Sequence, residues 1–208
     1  MRKYITEFIG TFFLVLTIGL TVASNNPMAP IAIGAALMVM IYAGGHISGA
    51  HYNPAVTLAV LIRRRISLSD AIIYMIVQLA GAVAAAYLVT YMVSSALPME
   101  PIRIEYRIKA LIAETLGTFA LAYVILNVAT AKSTSGNSFY GLAIGFTVTA
   151  MAFALGSFSG GAFNPAVAVG ISILKFAAWA DIGIFLAGCF AGGALAGLVF
   201  NMNNPDDK

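Results

Sequence analysis

Charge is what this 208-residue sequence has least of. Asp, Glu, Lys and Arg together make up 9% of it, against the roughly 25% that an ordinary water-exposed domain carries. A chain so poor in charge cannot cover itself against water, so its solvent is mostly lipid; disordered and fibrous readings are excluded. Cysteine is almost missing as well. Cys189 is alone, so no intrachain disulfide can form. The two histidines, His46 and His51, flank one short segment and are too few to hold a metal. No nucleophile–base pair, metal cluster or phosphate loop is present, so an enzyme is not expected. The net charge of +3 forms no basic patch of the nucleic-acid-binding kind and reads as membrane orientation.

What is there is apolar, 61% of all residues. A spanning helix needs about 20 mostly apolar residues, and six stretches qualify: 5–23, 31–47, 71–96, 110–131, 139–158 and 182–201. Only Glu7 and Glu114 interrupt them. Two shorter apolar segments, 54–62 and 165–174, each follow an Asn. They are too short to span and too apolar for loops, so they are expected to be re-entrant half-helices, tolerated where irregular backbone lines a cavity. The first span carries Glu7 and belongs to a repeat, so it is expected to stay in place and not to be cleaved as a signal peptide.

The sequence repeats itself. Shifted by 111 residues, Ser48-Gly49-Ala50-His51-Tyr52-Asn53-Pro54-Ala55-Val56 lies over Ser159-Gly160-Gly161-Ala162-Phe163-Asn164-Pro165-Ala166-Val167, and Asp70 over Asp181. Shifted by 107, Glu7-Phe8-Ile9-Gly10-Thr11-Phe12 lies over Glu114-Thr115-Leu116-Gly117-Thr118-Phe119. The whole chain, 1–208, is one membrane domain with halves at about 1–97 and 108–201. Three spans per half is an odd number, so the second half inserts upside down, and inverted repeats put their broken helices face to face at the midplane. The fold class is therefore all-α integral membrane: six transmembrane helices plus two re-entrant half-helices in two inverted repeats.

Asn is a strong helix N-cap and Pro is favoured at the first helical position. Asn53-Pro54-Ala55 and Asn164-Pro165-Ala166 each start a half-helix. The Asn oxygen caps it, leaving the NH2 group to donate into a cavity. Two N-termini, each carrying roughly half a positive charge, repel cations at the meeting point. The Gly/Ser-rich segments 44–52 and 156–163 are not expected to be regular helix up to the Asn. Glu7 and Glu114 are carboxylates in membrane helices, functional by default; each is read as accepting hydrogen bonds from a re-entrant loop and bracing it. His46 and His51 are read as loop-bracing too. Gly188/Gly192 and Gly193/Gly197 are small-residue pairs for close helix packing, and Trp179 is an interfacial anchor. Residues 98–107, with Glu100, Arg103, Glu105 and Arg107, form a solvated crossover.

Lys and Arg favour the cytoplasmic side. With the N-terminus inside, Arg2, Lys3, Arg63, Arg64, Arg65, Lys132 and Lys208 are cytoplasmic, and Arg103, Arg107, Lys109 and Lys175 are outside. Both termini are then cytoplasmic in a multi-pass cell-membrane protein, with Arg63–Arg65 anchored at the interface.

The paired Asn-Pro-Ala motifs, with Ser48–Thr57 and the two Glu-x-x-Gly-Thr-Phe segments, resemble the major intrinsic protein family, the aquaporins and glycerol facilitators. The likeness covers nearly the whole chain. It implies a homotetramer with one pore per subunit, passive conduction and no cofactor, with the bilayer, other copies, water and small neutral solutes as partners. It also implies an outer constriction at four positions, here Ile33, Ala152, Gly161 and Val167. The family has an Arg where this chain has Val167. Water-selective members have an aromatic and a His where it has Ile33 and Ala152, and glycerol facilitators follow the Arg with Asp where it has Ala168. A small, apolar, uncharged constriction implies relaxed selectivity: water with glycerol, urea, ammonia, hydrogen peroxide or carbon dioxide. Two other readings share these features, a secondary transporter using Glu7 and Glu114 as its ion site, and a non-conducting structural membrane protein.

Overall fold

The computed structural model describes residues 1–93, 101 and 104–207. Parts of the crossover (Glu100 and Arg103), Lys208 and the last three residues of the third expected span lie outside the described residues. Within them the chain is helical: α1 Arg2–Ala23, α2 Ala29–Ser48, α3 Pro54–Ile62, α4 Leu68–Val93, α5 Arg107–Ile125, α6 Tyr140–Ser159, α7 Pro165–Ile173 and α8 Ile182–Asn203. A π-helical turn, Leu126–Thr130, continues α5. Six helices are long and apolar enough to cross a membrane, while α3 and α7 have nine residues each.

Small residues set the packing. Glycine admits backbone where any side chain would collide. In α4, Gly81 seats on the Phe8 carbonyl of α1; in α8, the matching Gly192 seats on the Thr115 carbonyl of α5. The helices α1 and α4 thus pair as α5 and α8 do, and α2 crosses α6 where Gly34 meets Gly145. The two small-residue pairs of α8 face different partners. Gly188 and Gly192 lie on α5, whereas Gly193 and Gly197 lie on Ala55, Ala59 and Ile62 of α3. Each half-helix therefore rests chiefly on the opposite half, α3 on α8 and α7 on α4.

As expected, neither segment before the half-helices is regular helix up to its Asn, and one other expectation is corrected. The segments before the half-helices stay helical through Ser48 and Ser159 and end in left-handed caps at Gly49 (φ 85°) and Gly160 (φ 95°). Only four residues are unwound on each side, because glycine accepts the left-handed cap and nothing earlier breaks the ladder. The correction concerns Arg63, which is no interfacial anchor: its side chain is 2% exposed, stacked 4.6 Å from the Phe200 ring and paired with Asp207 at 2.8 Å. At the helix starts, Lys3 and Tyr4 bind Asp70 at 2.7 Å, and Arg107 binds Asp181 at 2.9 Å. The outer wall carries exposed Phe146, Phe153, Phe158, Leu195 and Leu198, a surface fit for lipid or for another copy. Trp179 is half-exposed in a short turn ahead of α8.

Candidate functional site: a lumen between two half-helices

Asn53 Oδ1 accepts the Ala55 and Val56 amides at 2.8 and 3.4 Å; Asn164 Oδ1 accepts those of Ala166 and Val167 at 2.9 and 3.4 Å. With Pro at the first position, each half-helix starts fully capped. The Asn NH2 groups are not wholly free, however. Asn53 Nδ2 donates to the Phe163 carbonyl and Asn164 Nδ2 to the Tyr52 carbonyl, both at 2.9 Å. Each amide spends one hydrogen on the other repeat's loop and keeps one for the lumen. The two half-helices are clasped to each other at their N-terminal ends, a reciprocity that the motif alone does not reveal.

The loops reach this clasp in a costly backbone conformation. Ala50, Tyr52 and Phe163 have φ of 51°, 49° and 47°, values that non-glycine residues rarely adopt. The buried glutamates hold them there. Glu7 Oε1 accepts from Ser48 Oγ at 2.6 Å and the His51 amide at 3.0 Å; Oε2 accepts from the Tyr52 amide and Gln78 Nε2, both at 2.7 Å. Glu114 repeats the pattern with Ser159 Oγ (2.6 Å), the amides of Ala162 (3.0 Å) and Phe163 (2.7 Å), and Cys189 Sγ (3.4 Å). Every partner is a donor, which suits an acceptor-only carboxylate. The rings of Tyr52 and Phe163 wedge flat over Gly10 and Gly117, where a Cβ would collide with them. That explains the Gly of each Glu-x-x-Gly.

His51 and His46 part company. The His51 ring is buried, 3.1 Å from Thr57 Oγ1 and edge-on to Tyr74. His46 sits in the last turn of α2, exposed, and among the described residues its ring makes no hydrogen bond. It makes no bond that would brace the loop, and the helix persists past it to Ser48.

A cavity of about 260 Å³ runs between the half-helices. Ile33, Ala152, Gly161 and Val167 all line it, as do Asn53, Asn164 and His51. One mouth, beyond Ile33 and Val167, is walled by Ala29, Pro30, Val148 and Phe176, and among the described residues no charged side chain lines it. The other opens into a vestibule bearing His46, Arg65 and Lys132; it is called the basic mouth below. The lumen thus joins an apolar entrance to a basic one through a polar midpoint. Tyr52, Phe163, Thr57 and Gln78 were not singled out by sequence reasoning; the aromatic pair preceding the two Asn residues at the repeat shift was the available signal.

Residues 1–200 match the Major intrinsic protein family. The chain is 40% identical to the "Glycerol uptake facilitator protein-like 6" of Lactiplantibacillus plantarum, over 83% of this chain and 84% of that one. It is 33% identical to the "Probable aquaporin NIP4-2" of Arabidopsis thaliana, over 100% of this chain and 76% of the relative. In fold it is similar to the solved aquaglyceroporin from Plasmodium falciparum, with a TM-score of 0.82 and 22% identity, covering 96% of this chain and 95% of that one.

Proposed function

The chain belongs to the major intrinsic protein family, and from that premise we propose that it is a passive channel for water and small neutral solutes of the glycerol and urea class. The observation that carries this reading is the meeting of Ile33, Ala152, Gly161 and Val167 on one lumen with no charge among them. A guanidinium at position 167 would narrow the passage and offer fixed donors. Val167 does neither, so a solute larger than water fits, and water finds few partners there. Cations meet two half-helix N-termini and the cost of losing their hydration. The reading includes a homotetramer with one lumen per subunit, in the cell membrane, its basic mouth and both termini cytoplasmic. Coupled transport is disfavoured, because the donors around Glu7 and Glu114 already fill both carboxylates and leave no ion site.

Stopped-flow light scattering on proteoliposomes tests it. Shrinkage in an impermeant osmolyte should be followed by fast re-swelling in glycerol or urea, and Val167→Arg should slow that re-swelling by more than about tenfold, the bulk of an Arg filling the gap. Water flux without re-swelling, or Val167→Arg leaving every permeability unchanged, would overturn the relaxed-selectivity reading.

A further inference from the structure

The two mouths of the lumen are built from matching positions yet differ in charge. At the repeat shift, Arg65 lies over Phe176 and His46 over Ser157. Phe176 walls the apolar mouth, whereas Arg65 and His46 line the vestibule at the other end. The fold therefore does not require a cation where Arg65 stands. The third cation, Lys132, comes from a connection without a full counterpart. Residues 131–139 join the π turn to α6, where only 24–28 join α1 to α2. The longer connection forms one wall of the vestibule, a cavity of about 710 Å³. Ile41, Ala50, Ile125 and Ile144 border both this cavity and the lumen, so the one leads into the other.

The vestibule's positive charge is left over. Among the described residues no carboxylate lines the cavity. Asp207, behind the rim, is already committed: Oδ1 accepts from the buried Arg63 guanidinium and Oδ2 from the Lys132 amide, both at 2.8 Å. Arg65, 40% exposed, reaches Oδ1 only at 3.5 Å. Asp70, which lines an adjoining pocket with Arg65, is held by Lys3 and Tyr4 at 2.7 Å. The Lys132 ammonium and the His46 ring are exposed and pair with no acid among the described residues. Because Asp207 touches both the Arg65 guanidinium and the Lys132 backbone, these two residues stand side by side. Membrane orientation alone asks for cations anywhere on this face; here three separate elements bring theirs to the rim of the lumen.

We propose that the basic vestibule is a binding site for a soluble phosphate group, free or on a small monoester, and that its occupancy caps the lumen. Such a group carries a charge of about −1.5 to −2 at neutral pH and three acceptor oxygens. It can take the planar fork of Arg65, the point charge of Lys132 and an N–H of His46 together. Chloride is a single point and a carboxylate has two oxygens, so neither satisfies all three donors as well. The ligand goes no deeper, because the wall beyond is Leu37, Ile41, Leu121 and Ile125, where a charge loses its hydration and gains nothing. It stays at the rim, in the path of neutral solutes. The block rests on the channel reading above; the binding does not.

Binding is read first, by titrating glycerol 2-phosphate calorimetrically into the protein in dodecyl maltoside, with ionic strength held constant by chloride. Arg65→Gln and Lys132→Gln should each weaken it at least about tenfold, the loss of one charge-assisted hydrogen bond. Lys175→Gln, at an exposed cation away from the vestibule, should leave it unchanged. If Arg65→Gln does not fold, Lys132→Gln decides. Block is read next, by urea re-swelling of phosphatidylcholine proteoliposomes with glycerol 2-phosphate on both faces, so that orientation does not matter. At a concentration about four times the dissociation constant, flux should fall about fivefold, one channel in five staying open by mass action; each variant is compared with its own flux without the anion. Adding phosphatidylglycerol separates the two sources of phosphate. A fall in flux with that lipid alone, which the soluble anion no longer deepens, would give the site to headgroups and overturn the proposal. So would binding that both Gln variants retain, an equal effect of chloride, or binding with no loss of flux. No urea flux through the unliganded chain would sink the channel reading and the cap with it, while the calorimetry still decides the phosphate site.

Discussion

At the scale of single residues, the two buried glutamates invite a comparison that their symmetry makes sharp. Each receives four donors, but the fourth differs: the Gln78 amide on Glu7, the Cys189 thiol on Glu114. A Gln in place of either turns one acceptor into a donor facing donors. The cost is about 1–3 kcal/mol for each buried group left unmatched. A thiol is a weak donor and yields easily, so Glu7→Gln should lower the unfolding midpoint in detergent further than Glu114→Gln does. Equal shifts would mean that the loop amides alone set the energy. Both glutamates were legible in the sequence, since an unpaired carboxylate in an apolar run stands out and the repeat doubles it. Gln78 and Thr57 were not legible: an amide and a hydroxyl are ordinary in helices, and only the packing of α4 on α1 brings Gln78 to Glu7, with Thr57 of α3 bonded to the same amide.

At the scale of elements, α8 separates two jobs that one sequence pattern suggested were the same. Its first glycine pair seats on α5, and its second seats on α3, directly behind Asn53. A methyl at Gly193 would press on the Ala55 carbonyl and push the half-helix toward the lumen. Gly193→Ala should therefore reduce urea re-swelling several-fold and cost about 1–3 kcal/mol, as overpacking does. Gly183→Ala, with nothing within 4 Å of the added carbon, should change neither; running both in the same flux and thermal-melt assays gives the control. The helices themselves were predictable within a few residues, because apolar length is a local property. The π turn after Ile125 was not. It depends on Asn137 and Thr134 reaching back to the Val128 and Asn127 carbonyls, bonds made by a loop that apolar runs say nothing about.

At the scale of the whole molecule, the tail closes on the rest of the chain. Asp207 accepts the Lys132 amide at 2.8 Å and the buried Arg63 guanidinium at 2.8 Å, tying the tail to the α5–α6 connection and to the far end of α3. The Lys132 amide, then Arg63, hold its carboxyl below the usual range. A depressed carboxylate gives its full contribution above the free value of about 3.9 and loses it as pH falls through the lower folded value. Hydrogen exchange at the Lys132 amide should therefore stay slow from neutral pH down to about 4 and accelerate, relative to intrinsic exchange, below that. In Asp207→Asn this pH-linked loss should be gone and protection weak throughout. Unchanged protection in the variant would show that the tail bears nothing.

The clasp at the centre also imposes an order in time. Asn53 and the Phe163 carbonyl that it binds are 110 residues apart, and Asn164 and the Tyr52 carbonyl 112. A ribosome makes the first half well before it makes the acceptor for that half's Asn. Until the second half arrives, the first half-helix has neither the amide's partner nor the α8 surface on which it rests. The newborn first half must keep that polar tip wet or chaperoned, and the lumen comes into being as one of the last acts of biogenesis.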